Sequence, residues 1–328
     1  MKTYGVVVIG YGYWGPNLAR NFEAHPRTRL VWVVDRDPAA LGLVRGLAVS
    51  TTTRAADAIT DLGVDLVAIA TPTETHHALA AAALGAGKHV LVEKPMASNA
   101  RDGKSLVCLA RSTGRLLAVD HTFLFTGAVR RLREMVGGGE LGDLRYVSGT
   151  RTNLGLYQPD CDVVWDLAPH DLAILAHLTG IREPMVVSAT VSRHLDRAWA
   201  DWAHVVLRYG ETVADLAFSW LSPVKQRRMI FGGARRMAVW DDLENVEKLR
   251  VYDCGAKITT PAAARRARVE YRRGDMWAPK IDGTEALRAE VDNVVAAMDG
   301  EARLVSDGDL GLAVVRTLEA IDRKAVQA

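Results

Sequence analysis

Along the first third of the chain, short continuous apolar runs alternate with stretches of helical periodicity. The runs at 4–9, 30–34, 65–70, 89–92 and 116–120 are rich in β-branched residues and bounded by turn residues. This predicts strands buried on both faces. The segments after them, from Pro16 to Phe22 and at 39–47, 55–60, 71–84 and 100–112, read as helices that close on glycine or polar residues. Strand and helix in alternation imply a parallel sheet with right-handed crossovers.

From Phe123 the alternation fails. A helix over 129–136, with Arg130, Arg131 and Arg133 on it, runs into Gly137-Gly138-Gly139, and a strand starts at 144–150. Short runs at 204–208, 212–220, 227–231 and 236–240 follow, connected through Tyr209-Gly210-Glu211 and Gly232-Gly233-Ala234, as in an antiparallel meander. Two amphipathic helices, 286–298 and 309–320, close the chain. With 328 residues and 49% hydrophobic content the chain can bury two cores. The expected division is 1–121, an α/β doubly wound parallel sheet, and 122–328, an α+β domain with a large, mainly antiparallel open sheet.

The first turn of that parallel sheet carries candidate chemistry. Gly10, Gly12 and Gly15 have G-x-G-x-x-G spacing between a strand and a helix opened by Pro16. Such a turn reverses tightly at the first glycine and leaves the backbone bare at the second for a pyrophosphate. At the third it lets the helix pack close on the strand. Tyr13 and Trp14 lie within it. Asp35 ends the second run, where a carboxylate can accept from both ribose hydroxyls and repel a 2′-phosphate, favouring NAD over NADP. Arg36 beside it partly offsets that repulsion, so NADP stays open. The plain alternative for Asp35 is a strand-end turn residue, a role Asp37 fits better as a cap ahead of Pro38. Thr71-Pro72-Thr73-Glu74 has capping-box spacing, with Thr71 at the cap, ahead of a helix bearing His76 and His77. Asp35, Thr71, Glu93, Lys94 and His121 all fall at carboxyl ends of predicted strands, where parallel sheets bind ligands.

Composition narrows the function classes. The 41 basic and 39 acidic side chains leave a net charge of +2, which favours neither nucleic acid nor a membrane surface. The longest apolar stretches, such as 78–84, are too short to span a bilayer. Met1 leads at once into a strand, so no signal peptide is expected. Cys108, Cys161 and Cys254 are odd in number and widely spaced, as for reduced thiols in a cytoplasm. His76-His77 and His170-Asp171 lie on separate elements without spacing for one ion, so no metal is expected.

The pieces Gly-Tyr-Gly-Tyr-Trp-Gly-Pro-Asn at 10–17, Thr-Pro-Thr-Glu-Thr-His at 71–76, Glu-Lys-Pro at 93–95 and Asp-Leu-Ala-Pro-His at 166–170 occur in one order. In these the chain resembles, over essentially its whole length, the glucose-fructose oxidoreductase / inositol dehydrogenase (Gfo/Idh/MocA) family. The resemblance implies NAD(P)-dependent redox chemistry on a sugar, sugar nucleotide or cyclitol. Gly10, Gly12, Tyr13, Trp14, Gly15, Asp35, Arg36, Thr71, Pro72, His76, Glu93 and Lys94 are the candidate cofactor contacts. Lys94 would contact the substrate hydroxyl and the nicotinamide side, and a cis bond to Pro95 would aim its side chain. The plain alternative is an exposed strand-end lysine.

Asp166 and His170 are four apart and would share a helix face. Pro169 is comfortable only in a first turn, which predicts a helix starting near Leu167 with Asp166 close to the cap. Their plain alternatives are an N-cap and a packed helix histidine. The resemblance instead implies a catalytic pair, His170 as acid/base in hydride transfer to or from nicotinamide C4, with Asp166 fixing its tautomer. Ala168 and Ala173 stand where the family often has glycine and aspartate, and no role follows for Asp171. Arg151, Asn153 and Tyr157, read as a loop over 150–162, are candidate substrate contacts or plain turn residues. Trp199 and Trp202 read as core or interface, and the acidic run 241–247 and basic run 265–273 as solvated surface.

Three functions remain in view. The first is an NAD(P)-dependent dehydrogenase or ketoreductase acting on a small carbohydrate or cyclitol. The second is a glycosidase using NAD in a transient oxidation, as in some members of the resembled family. The third is a non-catalytic NAD-sensing regulator. The resemblance further implies a homodimer or homotetramer built on the second sheet.

Overall fold

The computed structural model describes residues 2–328 apart from 47, 156, 158–160, 196–197 and 258–269. Their contacts form two units, one of residues 1–126 and 284–316, the other of 127–283 and 317–328.

The first unit strings β1 (Tyr4–Ile9), α1 (Gly15–Ala24), β2 (Thr28–Val34), α2 (Pro38–Leu41), β3 (Ser50–Thr52) and α3 (Ala55–Ile59). It continues with β4 (Leu66–Ile69), α4 (Thr73–Gly85), β5 (His89–Glu93), α5 (Ala100–Thr113) and β6 (Leu117–Asp120), then a 3-10 turn at Thr122–Phe125. The six strands are parallel, in the order β3-β2-β1-β4-β5-β6. The order reverses between β1 and β4, so the turn after β1 sits at a switch point. Every residue of β1 and β4 is buried, because helices cover both faces. The core joins Val6, Val8, Leu18, Phe22, Leu30 and Leu66, and Leu287, Val291, Val294 and Val295 from a later helix complete it. Each such side chain contributes roughly 1.5–3 kcal/mol on leaving water.

Two helix starts differ from expectation. Thr71 does not cap α4: Pro72 holds the cap position without a side-chain bond, and the Thr71 hydroxyl pairs with Thr75 Oγ1 at 2.6 Å instead. No capping box forms, because Pro72 at the cap position has no side-chain acceptor. The helix expected over 39–47 is the single turn α2, capped by Asp37 through Ala39 N and stopped at Gly42.

The second unit begins with α6 (Gly127–Gly137), β7 (Leu144–Leu154) and α7 (Val163–Thr179). The strands β8 (Met185–Ser192), β9 (Trp202–Tyr209), β10 (Thr212–Ser219), β11 (Leu221–Gly233), β12 (Met237–Asp241), β13 (Leu249–Lys257) and β14 (Glu270–Trp277) follow. After α8 (Ala286–Met298) and α9 (Gly308–Lys324) comes β15 (Ala325–Gln327). One nine-stranded sheet results, β14-β13-β12-β11-β7-β10-β9-β8-β15. Its pairs are antiparallel except β7 with β10 and β8 with β15, so it is not a pure meander. The chain leaves β7 through α7 to β8 and comes back by the antiparallel strands β9 and β10, which brings β10 in parallel beside β7. Along β9 and β10 alternate residues (Ala203, Val205, Leu207; Ala214, Leu216, Phe218) are buried, and α7 packs on these strands. Gly210, at φ +60°, makes the hairpin turn between them.

The helix carrying Asp166 and His170 also starts earlier than Pro169 suggests. Asp162 is its N-cap, accepting from Val164 N and Trp165 N, and Pro169 lies inside the helix. Arg151 and Asn153 lie in strand β7, not in a loop. Of the basic run, 265–269 is outside the described residues, and Tyr271–Arg273 belong to edge strand β14 and are exposed.

Candidate functional site

The turn after β1 is shaped by its glycines. Gly10 has φ +94°, and a Cβ there would lie 2.4 Å from the Ala70 carbonyl oxygen. A Cβ on Gly15 would lie 1.9 Å from the Gly10 carbonyl oxygen, so the third glycine lets α1 approach the turn. Gly12 is different: a Cβ there meets nothing within 4 Å. No protein contact demands glycine at that position, whereas a ligand resting against bare backbone does. The first turn of α1 has no side-chain cap and no acidic residue, and Pro16 occupies it. The positive helix end therefore faces the turn without a competing acidic side chain, as an anion requires. Asp35 at the end of β2 is half-buried. Its Oδ2 accepts from Tyr11 N at 2.7 Å and its Oδ1 from Asp37 N at 2.9 Å. The turn residue Tyr13 is 87% exposed, while Arg36 is exposed at the strand end. The residues present fit a dinucleotide: bare backbone at Gly12, an uncapped helix start, and a carboxylate one strand away.

His76 is buried within the first turns of α4. Its Nε2 stands 2.8 Å from the Thr71 carbonyl oxygen and its Nδ1 2.9 Å from the Pro95 carbonyl oxygen. The imidazole thus bridges the ends of β4 and β5, with Pro72 exposed beside it. The Lys94–Pro95 bond is cis. Glu93 closes β5 and its Oε2 accepts from Lys94 N at 2.9 Å. Burial, then the Asp120 carboxyl, push the Glu93 carboxyl well above the usual range, against the pull of the Lys94 ammonium. Lys94 itself is half-buried at this strand end.

Sequence reasoning named His121 beside it but missed Asp120 and Glu290. Asp120 ends β6, is buried, and accepts from Trp14 Nε1 at 2.6 Å and from Thr122 Oγ1. His121 is buried, with Nδ1 2.9 Å from Ser306 Oγ, and burial holds its pKa down at about 4. Glu290 on α8 is 1% exposed. Its one sequence signal is position: it stands on the apolar stripe Leu287, Val291, Val294, where a solvated carboxylate does not belong.

In the second unit, α7 carries Asp166 and His170 one turn apart, both half-buried. Asp166 Oδ2 accepts from the buried Trp220 Nε1 at 3.0 Å, and Tyr157 meets the Trp220 ring edge-on at 5.4 Å. Tryptophan 220 is another residue the sequence did not single out. Arg151 is buried and donates from Nε to Asp171 Oδ1 at 3.0 Å and from Nη2 to the same oxygen. That ion pair occupies the guanidinium and gives Asp171 its partner. Asn153 is half-buried on the same strand, its Oδ1 without a hydrogen-bond donor. Among the described residues no cluster of ligating side chains could hold a metal ion, and no helix is long and apolar enough to cross a membrane.

Comparisons with known proteins bear on this arrangement. A family model described as "Oxidoreductase family, NAD-binding Rossmann fold" matches residues 4–121, and the GFO/IDH/MocA C-terminal domain model matches 129–239. The UDP-N-acetylglucosamine 3-dehydrogenase of Acidithiobacillus ferrooxidans is 32% identical over 270 residues, 81% of this chain and 80% of that protein. Its crystal structure superposes with a TM-score of 0.83 at 27% identity, covering 99% of this chain and 98% of that one. The inositol 2-dehydrogenase of Rhizobium meliloti is 26% identical over 98% of this chain and 96% of its own. A gentamicin-biosynthesis protein crystallised with NAD, GenD2, aligns at a TM-score of 0.81 and 26% identity, covering 99% of this chain and 94% of that one. A glycine turn built to receive a dinucleotide, on a fold shared from end to end with these proteins, makes the chain a member of the GFO/IDH/MocA family of NAD-binding oxidoreductases.

Proposed function

We propose that this oxidoreductase interconverts a secondary hydroxyl and a ketone on a sugar, sugar nucleotide or cyclitol. The observation that carries the reading is the pairing, in one family member, of an NAD turn with Lys94 at the end of β5 and the Asp166/His170 pair on α7. The related proteins named for such substrates, a UDP-N-acetylglucosamine dehydrogenase and an inositol dehydrogenase, support the substrate class.

The turn at Gly10, Gly12, Tyr13, Trp14 and Gly15 seats the pyrophosphate through backbone N–H groups, and Asp35 accepts from the ribose. That carboxylate gives NAD preference over NADP, with exposed Arg36 leaving NADP admissible. Thr71, Pro72, Glu93 and Lys94 border the nicotinamide half, and His76 fixes the two loops they stand on. A nicotinamide held there would supply the acceptor for two electrons and the hydrogen of the carbinol carbon. His170 takes the hydroxyl proton as the C=O forms, and returns it in the reductive direction. Asp166, held by the Trp220 indole, orients that imidazole and steadies its cationic form. Lys94 donates a hydrogen bond to the reacting oxygen, stabilising developing negative charge. Asn153 and Tyr157 contact substrate hydroxyls. Arg151 supports them from behind through Asp171.

The outer face of the nine-stranded sheet, half-exposed at Val206, Val213 and Ala217, serves assembly into a homodimer or homotetramer, to be read as a mass by light scattering. Three widely spaced cysteines, Cys108, Cys161 and Cys254, suit a reducing cytoplasm.

The test is a turnover assay over a panel of sugars, sugar nucleotides and cyclitols with wild type, Lys94→Ala and His170→Ala. Removing the acid/base is expected to slow turnover by roughly 10²–10⁴-fold. Unchanged turnover in both variants would remove the proposed roles.

A further inference from the structure

The first unit holds three buried or partly buried carboxyl groups close together: Glu93 at the end of β5, Asp120 at the end of β6 and Glu290 on α8. Asp120 is where they meet. It accepts from Trp14 Nε1 at 2.6 Å and from Thr122 Oγ1, and both Glu93 and Glu290 are within hydrogen-bonding reach of it. Neither oxygen of Glu290 finds an N–H or O–H donor among the described groups around it, although the residue is 1% exposed. An ionised carboxylate left so would forfeit its hydration with nothing in return. A carboxylic acid would not, because its own proton makes the bond to Asp120. Trp14 is the residue before Gly15 and the cap position of α1. Its indole is therefore tied to the end of β6, 106 residues away in sequence.

We propose that Glu290 is a positioning residue for the nucleotide turn: as a neutral acid it donates a hydrogen bond to Asp120, which in turn holds the Trp14 indole at the start of α1.

The surroundings favour the neutral form. Burial first, then Asp120 and Glu93, push the Glu290 carboxyl well above the usual range. The other charged or titratable groups at this place are Lys94, which faces Glu93 and His121, and His121 itself, whose Nε2 is buried without a partner. Arg20 of α1 pairs with Glu285, the cap residue of α8, and His25, just past the end of α1, stands against Asp292, away from Glu290. No cation is directed at Glu290 from α1. Loss of the Glu290 proton would remove its hydrogen bond to Asp120, leave a buried charge against that carboxyl, and release the indole that steadies the turn. The consequence is an alkaline limit on nucleotide affinity set by a residue that never touches the nucleotide. It rests on NAD binding alone and is independent of the roles given to Lys94 and His170.

The test is NADH affinity by fluorescence titration from about pH 6 to about pH 10 for wild type, Glu290→Gln and Trp14→Phe. Wild-type affinity is expected to fall on the alkaline side by up to about tenfold per pH unit, the slope of one linked proton. The Gln amide still donates to Asp120 but cannot titrate, so Glu290→Gln flattens that limb. Trp14→Phe cuts the link to the turn, lowers affinity and loses the same limb. A purely structural Glu290 would shift affinity equally at every pH. A flat wild-type curve, or curves of wild type and either variant running parallel, would overturn the proposal. Where Glu290→Gln fails to fold, the Trp14→Phe curve decides in the same way. An infrared spectrum gives a readout without nucleotide: the carbonyl stretch of a protonated carboxyl, present in wild type near neutrality, is lost or reduced in Glu290→Gln, and its absence in wild type contradicts the neutral acid.

Discussion

At the residue scale, the three glycines of the first turn separate folding from binding. Gly15 is demanded by the protein, since a Cβ would strike the Gly10 carbonyl at 1.9 Å, whereas Gly12 has open space around it. Gly12→Ala should therefore leave the melting temperature of the free protein close to wild type. In NADH titrations it should weaken affinity by about tenfold or more, since about 1.4 kcal/mol of lost contact suffices. Gly15→Ala should lower both. A Gly12→Ala protein that binds NADH normally would move the pyrophosphate seat away from this backbone. Such local features were legible in the sequence because turn, strand end and helix start are adjacent: Gly10, Asp35 and Glu93 could each be read from immediate neighbours. Asp120 bound to Trp14, Glu290 beside Asp120 and Trp220 bound to Asp166 join distant segments. Without the fold, nothing marks those partners except the misplaced glutamate on an apolar stripe.

At the scale of elements, the informative departures come from proline and from buried charge. Both α4 and α7 were expected, yet Pro72 moved one helix start and Asp162 set the other earlier than the start near Leu167 that Pro169 suggested. A strong cap and burial of Val163 and Val164 outweigh the bond that Pro169 cannot make. The strand β7 was longer than its predicted beginning, so Arg151 entered the sheet and met Asp171 of α7, the residue after His170. Charge in a strand interior reads as loop when the partner carboxylate is on another element. Arg151→Met should cost about 3–5 kcal/mol in urea unfolding, because it strands the Asp171 carboxylate. Removing both charges, as Arg151→Met with Asp171→Leu, should recover most of that loss. Equal destabilisation in single and double variants would show that packing, not the ion pair, is at stake.

Across the whole molecule, buried ionisable groups set how stability follows pH. Burial holds His89, His121 and His177 each at about 4, below the ordinary value of 6.5. Between those values the unfolded chain binds more protons than the folded one, so these groups contribute stability above about pH 6.5 that is lost as pH falls towards 4. Glu93 and Glu290 act with the opposite sign: their raised values mean the folded chain keeps protons the unfolded chain gives up, so their contribution declines as pH rises. The histidine part is separable. His177→Gln should lose less stability than wild type when the urea midpoint is taken from about pH 7 to about pH 4.5. An identical loss would mean that His177 is not held neutral by burial.

The most direct measurement of the central claim follows an isotope. A substrate from the active class, deuterated at the carbinol carbon, is incubated with NAD and the nicotinamide product is weighed by mass spectrometry. Net oxidation of a secondary hydroxyl predicts one deuterium in the reduced nicotinamide for each ketone formed, and loss of that transfer in His170→Ala. Product formed with no deuterium in the nicotinamide and no net reduction of NAD would contradict it.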